Sequence, residues 1–294
     1  MSKSTPTSPV RPVKTGKKKT PRISTKRDEA PPFVHKPRAS LQRKELKYYG
    51  TAACLALWQR RPDDVIRIYL QTDLVEHFKS MLKWAAARRL AYHIVEADDL
   101  ERLTESVHHQ GICILARDAP EFSFKQLNEY CESRTRVALI YLDGVSNPHN
   151  LGAILRVAAH FGIDHVLAPR GSARVSPSAC RVAEGGAEYV HMIYLDDPRM
   201  DLIELRKLGF GLIGADTRGG ESIFTTSLST RTVLLMGGEE HGLSPMVRSL
   251  ADKIVSICGT GRVESLNVAA ASAILAAEYA RQHPSTGDNA VKKK

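Results

Sequence analysis

The chain has 294 residues, of which 43% are hydrophobic, and its 42 basic residues outnumber 32 acidic ones to give a net charge of +10. This length allows two ordinary domains and a tail, and the apolar content suffices for a core. The five cysteines are far apart and include no CxxC pair, which argues against a zinc site and a disulfide framework. With no apolar run near the roughly 20 residues of a membrane span and no hydrophobic signal core, we expect a cytoplasmic protein without membrane contact.

The basic charge is concentrated at the two ends of the chain. Residues 1–38 hold eleven Lys or Arg against two acidic residues, and residues 292–294 are all lysine, so the body between them is nearly neutral. The first segment is rich in Pro, Ser and Thr, and a segment that can bury so little apolar surface is expected to be disordered. Basic tails bind polyanions through counterion release, which favours a nucleic-acid partner over a purely solubilising role.

Residues 39–117 are expected to form a small α/β domain. Helices are predicted over LQRKELKYYGTAACLALWQRR and LVEHFKSMLKWAAARR, and short strands over IRIYL, AYHIV and GICILA. His108 and His109 lack metal-ligand spacing and are interpreted as a polar turn. Residues 118–135 are predicted to be a polar linker that contains one short helix, FKQLNEYCE.

From residue 136 onward, short strands alternate with helical patterns. The strands VALIYL, HVLA, FGLIGA, TVLLMG and KIVSI are apolar on both faces, which is typical of buried parallel strands. The predicted fold class is therefore α/β, with a mostly parallel sheet covered by helices. We expect this domain to span residues 136–283 and to be followed by a short tail, residues 284–294.

Three loops carry polar residues at the ends of predicted strands. The first is SNPHNLGAILRVAAHFG, residues 146–162. Asn150 is predicted to cap a helix that begins at Leu151, with Arg156 on the side opposite the apolar stripe, and Gly152 lets a backbone or a ligand approach. An arginine near a helix start suits an anionic ligand such as phosphate. A simple cap with a surface arginine stays open as the alternative.

The second and third loops follow two later strands. In TVLLMGGEEHGLSP, a strand ends at Gly237-Gly238 and Glu239 is the carboxylate nearest the resulting crevice. In CGTGRVESLNVAAASAILAA, Ser265 and Asn267 open a helix that is apolar over residues 268–277 except for Ser272. Such a helix is expected to be buried on all sides, against the sheet and a second subunit. Ser265 as a mere N-cap remains the alternative.

Together the three loops resemble the signature motifs of the SpoU (TrmH) family of RNA ribose 2′-O-methyltransferases in the SPOUT superfamily. NPHNLGAILRVAAHFG is similar to the first motif of that family, MGGEEHGLS to the second and GRVESLNV to the third. The resemblance covers about residues 136–282, and residues 40–117 look like the small RNA-recognition domain that many members carry in front.

The resemblance implies a deep trefoil knot in the catalytic domain, S-adenosylmethionine as cofactor, and a homodimer built through the helices of the first and third motifs. The implied substrate is the ribose of rRNA or tRNA, with no metal. Carried over by motif position, the catalytic residues are Asn150, Arg156, Glu239, Ser265 and Asn267. By the same route, the cofactor contacts are Gly237, Ile257 and Leu266.

For methyl transfer to a 2′-hydroxyl, Arg156 is expected to hold the phosphate beside the target ribose while Asn150 orients the reacting region. Cys258-Gly259 departs from the family's usual Pro-Met, and AEGGAEYVH, residues 183–191, departs between the motifs. Two alternatives are a non-catalytic RNA-binding assembly factor or chaperone of the same fold and a dinucleotide-binding oxidoreductase. The latter is disfavoured because Glu264 replaces the last glycine of a GxGxxG fingerprint.

Overall fold

Two β-sheets organise the residues that the computed structural model describes, which are residue 1, residues 43–217 and residues 219–284. Apart from residues 1 and 284, the predicted tails lie outside these residues. Among the described residues, no helix is both long enough and apolar enough to cross a membrane.

The first sheet has the strand order β1-β4-β2-β3 and is mixed, because β4 is antiparallel to β1 and β2 whereas β2 and β3 are parallel. Its elements are β1 (Glu45–Tyr49), α1 (Thr51–Arg60), β2 (Val65–Leu70), α2 (Lys79–Ala87), β3 (Tyr92–Ile94), α3 (Ala97–Thr104) and β4 (Ile112–Arg117). Helix α4 (Phe124–Glu132) follows, as predicted, with a capping box at Ser123 and Gln126.

The first predicted helix was too long at its start. Residues Glu45–Tyr49 form a strand that pairs with β4. Gly50, with a φ of 94°, then turns the chain into α1. A positive φ suits glycine and interrupts both helix and strand, so the turn at Gly50 separates two elements that the helical pattern had merged.

The second sheet is entirely parallel in its described pairings, with the strand order β7-β6-β5-β10-β8-β11-β9. This confirms the predicted α/β class with a parallel sheet. Its elements are β5 (Val137–Asp143), α5 (Pro148–Phe161), β6 (His165–Pro169), α6 (Pro177–Val182), β7 (His191–Leu195), α7 (Pro198–Lys207), β8 (Gly211–Ala215), β9 (Glu221–Ser222), β10 (Arg231–Gly237), α8 (Pro245–Leu250), β11 (Lys253–Ser256) and α9 (Val268–Gln282).

The central strands β5 and β10 separate two apolar layers. Their side chains alternate between one core that contains α5 and α9 and another that contains α4, α7 and α8. Burial on both faces explains why VALIYL and TVLLMG are continuously apolar. The carboxyl ends of β5 and β10 lie side by side, which places their following loops together.

Helix α9 is only partly buried within the single chain. Leu275, Ala276 and Tyr279 face the core and α5, but Ala270 and Ala277 are exposed. A sheet and one helix can cover only part of a helix surface, so the expected burial on all sides, which includes a second subunit, stays a prediction.

Candidate functional site

Three polar side chains from the three loops meet at the carboxyl ends of β5 and β10. The Nδ2 of Asn267 donates a hydrogen bond to Oδ1 of Asn150 at 3.0 Å and another to Oε1 of Glu239 at 2.7 Å. Asn267 thus joins residues that are 117 and 28 positions away in the chain. We call Asn150, Glu239 and Asn267 the amide–carboxylate triad.

Asn267 is fixed by a second role. Its Oδ1 accepts hydrogen bonds from the backbone N–H groups of Ala269 at 2.9 Å and Ala270 at 3.4 Å, so it is the N-cap of α9. This corrects two expectations, because the helix begins after Asn267 and Ser265 is not its cap. With the oxygen used for the cap, the amide nitrogen must point away from the helix, toward the other two members of the triad.

Asn150 occupies a different place from the predicted one. Helix α5 begins at Pro148, and Asn147 is its N-cap, with Oδ1 accepting from the backbone N–H of His149 at 2.8 Å. Proline is favoured at the first helical position because it has no N–H to satisfy there. Asn150 therefore lies within the first turn and is only 9% exposed, so its side chain is held beside the ends of β5 and β10.

The second loop is folded tightly on itself and on the end of β5. The N–H of Gly238 donates to the carbonyl of Asp143 at 2.8 Å, and a carboxylate oxygen of Asp143 accepts from the N–H of Ser244 at 2.6 Å. A Cβ added to Gly237 would lie 2.1 Å from the carbonyl carbon of Gly242. Only glycine fits at position 237, and this close turn fixes where Glu239 leaves the strand.

The remaining predicted residues are more scattered. Ser265 is exposed and, among the described residues, makes no hydrogen bond to the triad. Leu266 is 45% exposed, while Ile257 is partly buried against the core that contains α5 and α9. Both lie on the loop between β11 and α9, which crosses the same end of the sheet.

Arg156 is held apart from the triad by the helix that carries it. Six residues after Asn150, it lies about 9 Å farther along the axis and about 120° around it, given the α-helical rise and turn. Its side chain is 59% exposed, and a guanidinium nitrogen lies 3.2 Å from a carboxylate oxygen of Glu184. The predicted polar side of α5 is confirmed, as is the buried stripe formed by Leu151, Ile154, Leu155 and Ala158.

The structure also shows a contact that the sequence did not reveal. Arg61, at the end of α1, donates two hydrogen bonds to the carboxylate of Glu188, at 2.7 and 3.0 Å. The two side chains are only 13% and 8% exposed. Burial works against the charged guanidinium, but Glu188 outweighs it and raises the pKa of Arg61, so the pair stays ionised. The signal in the sequence was the unusual segment AEGGAEYVH, which contains both Glu184 and Glu188.

Comparisons with known proteins decide the family. The family model of the SpoU rRNA methylase family matches residues 136–277, and the model for RNA 2′-O ribose methyltransferase substrate binding matches residues 48–122. The chain is 35% identical to the uncharacterized tRNA/rRNA methyltransferase YfiF of Escherichia coli O157:H7, over 81% of this chain and 69% of that protein. The chain belongs to the SpoU family.

Other SpoU relatives agree with this assignment. The 23S rRNA (guanosine-2′-O-)-methyltransferase RlmB of Neisseria meningitidis serogroup B is 32% identical over 80% of this chain and 94% of that protein. The solved SpoU methyltransferase AviRb from Streptomyces viridochromogenes, in complex with AdoMet, is 23% identical and shares the fold with a TM-score of 0.66, covering 81% of this chain and 90% of that one. The predicted SpoU membership and the predicted class of activity, RNA methyl transfer, are confirmed.

Proposed function

We propose that this SpoU protein uses S-adenosylmethionine to methylate the ribose 2′-hydroxyl of ribosomal or transfer RNA. The amide–carboxylate triad carries the proposal, because it joins one residue from each of the three loops in which the family motifs were found. RlmB acts on a guanosine of 23S rRNA, so unmodified 23S rRNA is the first substrate to test.

The triad is arranged to hold a hydroxyl group. Asn267 fixes one carboxylate oxygen of Glu239, whose side chain is otherwise exposed at the mouth of the site. A carboxylate has about four lone-pair positions, so Glu239 can also accept a hydrogen bond from an incoming 2′-hydroxyl. Orienting that hydroxyl is the main task of a protein that promotes an in-line methyl transfer.

The residues at the ends of the strands fit the cofactor. No heavy atom lies within 4 Å of the Cβ positions of Gly144, Gly242 and Gly259, so the segments that follow β5, β10 and β11 each leave open space beside the backbone. Leu266 and Ile257 offer apolar surface on the same loop for an adenine ring. S-adenosylmethionine, when bound, supplies the methyl group. Gly237, Ile257 and Leu266 would hold it, largely through backbone groups.

Arg156 and Ser265 complete the proposed site. The guanidinium of Arg156 is accessible and forms bidentate contacts readily, which suits the phosphate next to the target ribose. Ser265 is exposed on the loop that leads to Asn267, where its hydroxyl can contact RNA.

We further propose a homodimer built through α5 and α9. The two helices pack against each other, and the exposed side of α9 presents Ala270 and Ala277, flanked by the partly buried Ala273 and Ile274. Such a face gains most by packing against a second copy of the same helix pair. Ala277→Arg should convert the dimer to a folded monomer in analytical ultracentrifugation, and an unchanged dimer would refute this interface.

The division of the chain into domains remains a prediction. We propose that residues 39–117 bind RNA, that residues 118–135 link this domain to the catalytic domain of residues 136–283, and that both basic tails, residues 1–38 and 284–294, contact RNA in the cytoplasm. A trefoil knot is supported by the course of the chain from β11, near the sheet edge, back to α9 beside α5. An experimental chain trace through residues 238–267 tests it.

The decisive experiment maps ribose methylation in RNA from cells with and without the gene. Loss of one methylated nucleotide, restored by the wild-type chain, would identify the substrate. Calorimetry with S-adenosylmethionine separates the enzyme from a non-catalytic RNA-binding factor. A folded sample that binds no cofactor at millimolar concentration would favour the second function, for which the Cys258-Gly259 loop is the motivating feature.

A further inference from the structure

The Arg156 guanidinium already has an anionic partner in the chain. A carboxylate oxygen of Glu184 lies 3.2 Å from it, and about half of each side chain is exposed. In the proposed function, an RNA phosphate takes this place beside Arg156. Glu184 and the phosphate therefore compete for one guanidinium, and the free protein exists with the competitor bound.

Glu184 keeps this position in an unfavourable backbone conformation. Its φ is 45°, in the left-handed region that residues with a Cβ seldom adopt, and Gly185 follows with a φ of 87°. A glycine at position 184 would relieve the crowding of the Cβ. The left-handed conformation just after α6 sets the direction in which the Glu184 side chain leaves the backbone.

The segment around Glu184 is clamped between two helices. A Cβ added to Gly185 would lie 2.9 Å from the Cβ of Ala56 in α1, and one added to Gly186 would lie 3.0 Å from the Cα of Arg156 in α5. Four residues after Glu184, Glu188 forms its buried ion pair with Arg61. The backbone that presents the Glu184 carboxylate is thus fixed from both sides, and the carboxylate is held in place before RNA arrives.

We propose that Glu184 is a positioning residue, which holds the Arg156 guanidinium in the free protein and gives it up to an RNA phosphate. This inference rests on the proposed function. An exposed ion pair of this kind is weak, whereas a phosphate can accept two parallel hydrogen bonds from arginine and brings the field of a polyanion. The exchange therefore favours RNA. The competition by Glu184 nevertheless reduces RNA affinity, and it lowers the attraction of Arg156 for phosphates that arrive in the wrong place.

The test is a double-mutant cycle on RNA binding. The dissociation constant of unmodified 23S rRNA, transcribed in vitro, is measured at one salt concentration for wild type, Glu184→Gln, Arg156→Ala and the double variant. Glutamine keeps the size of the side chain and the backbone of the segment, so the fold is retained. Because the pair is exposed, we expect Glu184→Gln to bind RNA about 2- to 5-fold more tightly. Arg156→Ala should bind more weakly, and the double variant should bind as Arg156→Ala does.

A matched control separates this competition from a general change in charge. Glu129→Gln removes one exposed carboxylate from α4, near Lys125, and should leave RNA affinity unchanged. Equal affinity of Glu184→Gln and wild type would overturn the inference, as would a gain that persists without Arg156. In both cases a weaker-binding Arg156→Ala would leave the proposed role of Arg156 intact. If Arg156→Ala bound as wild type does, the phosphate role itself would be wrong.

Discussion

Asn150 and Arg156 lie on the same helix, yet different forces hold their side chains. Asn150 is buried and is bonded to Asn267 beside the ends of two central strands. Arg156 is exposed and is held by a surface ion pair to Glu184. The first arrangement has one geometry, because Asn267 is also fixed as the N-cap of α9. In the second arrangement Arg156 can exchange Glu184 for another anion, which a residue that binds a polyanion must be able to do.

The largest effect on stability is expected at the Arg61–Glu188 pair, which anchors the segment that contains Glu184. Glu188→Gln removes one of the two carboxylates beside the buried guanidinium of Arg61 and leaves Asp64, at 3.3 Å, as the other. It should lower the free energy of unfolding by about 3 kcal/mol. Chemical denaturation measures this loss. Glu76→Gln breaks an exposed pair with Lys79 and serves as the control, expected to change stability by less than about 0.5 kcal/mol. Equal effects of the two variants would mean that the Arg61–Glu188 pair contributes no more to stability than an exposed ion pair does.

The next effect concerns activity alone. Arg156→Ala removes an exposed side chain and no core packing, so its thermal unfolding should match wild type. Methyl transfer should fall on the order of a hundredfold or more, because a positioned phosphate contact is lost. Initial rates on the mapped RNA substrate measure this fall.

Arg156→Lys sharpens the result. Lysine keeps the charge but loses the planar pair of donors, so bidentate phosphate holding predicts little rescue whereas a point charge predicts partial rescue. Full activity of Arg156→Ala would contradict the proposed mechanism, and failure of this variant to fold would make Arg156 structural.

The third effect tests the opposite end of the sheet, away from the site. His165 begins β6 and is 1% exposed among Phe122, Tyr130 and His191, and burial lowers its pKa to about 3. Since the unfolded chain binds this proton below about pH 6.5, stability falls as the pH drops, by about 2 kcal/mol at pH 5. Denaturation at pH 7 and pH 5 should show a smaller drop for His165→Leu than for wild type. Equal drops would exclude His165 as the cause.

The sequence predicted most of the second sheet and three residues that meet in the site. Strands β5 and β10 were recognisable because burial on both faces leaves a continuous apolar run. Strand β7, HMIYL, was missed; it lies at the edge of the sheet and is only partly buried. The N-cap of α5 was placed at the wrong asparagine, since Asn147 and Asn150 both flank a plausible helix start and only the folded chain separates their roles.

The contacts of Glu184 and Glu188 could not be predicted from local patterns. Arg61 and Glu188 are 127 residues apart, so their pairing depends on how α1 packs against the following domain. Periodicity and spacing report on one element at a time. The segment AEGGAEYVH departs from the usual pattern of the family, but the partners of its two carboxylates are set by the tertiary structure.

The smallest effect separates the two roles of Asn267. Serine can accept the same capping hydrogen bonds at the start of α9 but has no amide to donate to Glu239 and Asn150. Asn267→Ser should therefore keep the free energy of unfolding within about 0.5 kcal/mol of wild type, whereas Asn267→Ala should lose about 1 kcal/mol with the cap.

Both variants should lose about tenfold in methyl transfer, which corresponds to about 1.4 kcal/mol of transition-state stabilisation, because Glu239 loses the donor that orients it. Denaturation and initial rates on the same preparations measure the two roles independently. If Asn267→Ser were as active as wild type while Asn267→Ala was impaired, the side chain of Asn267 would serve only as a helix cap. Glu239 would then be oriented by something other than Asn267. The triad would not be the fixed arrangement that distinguishes it from the exchangeable pair of Arg156.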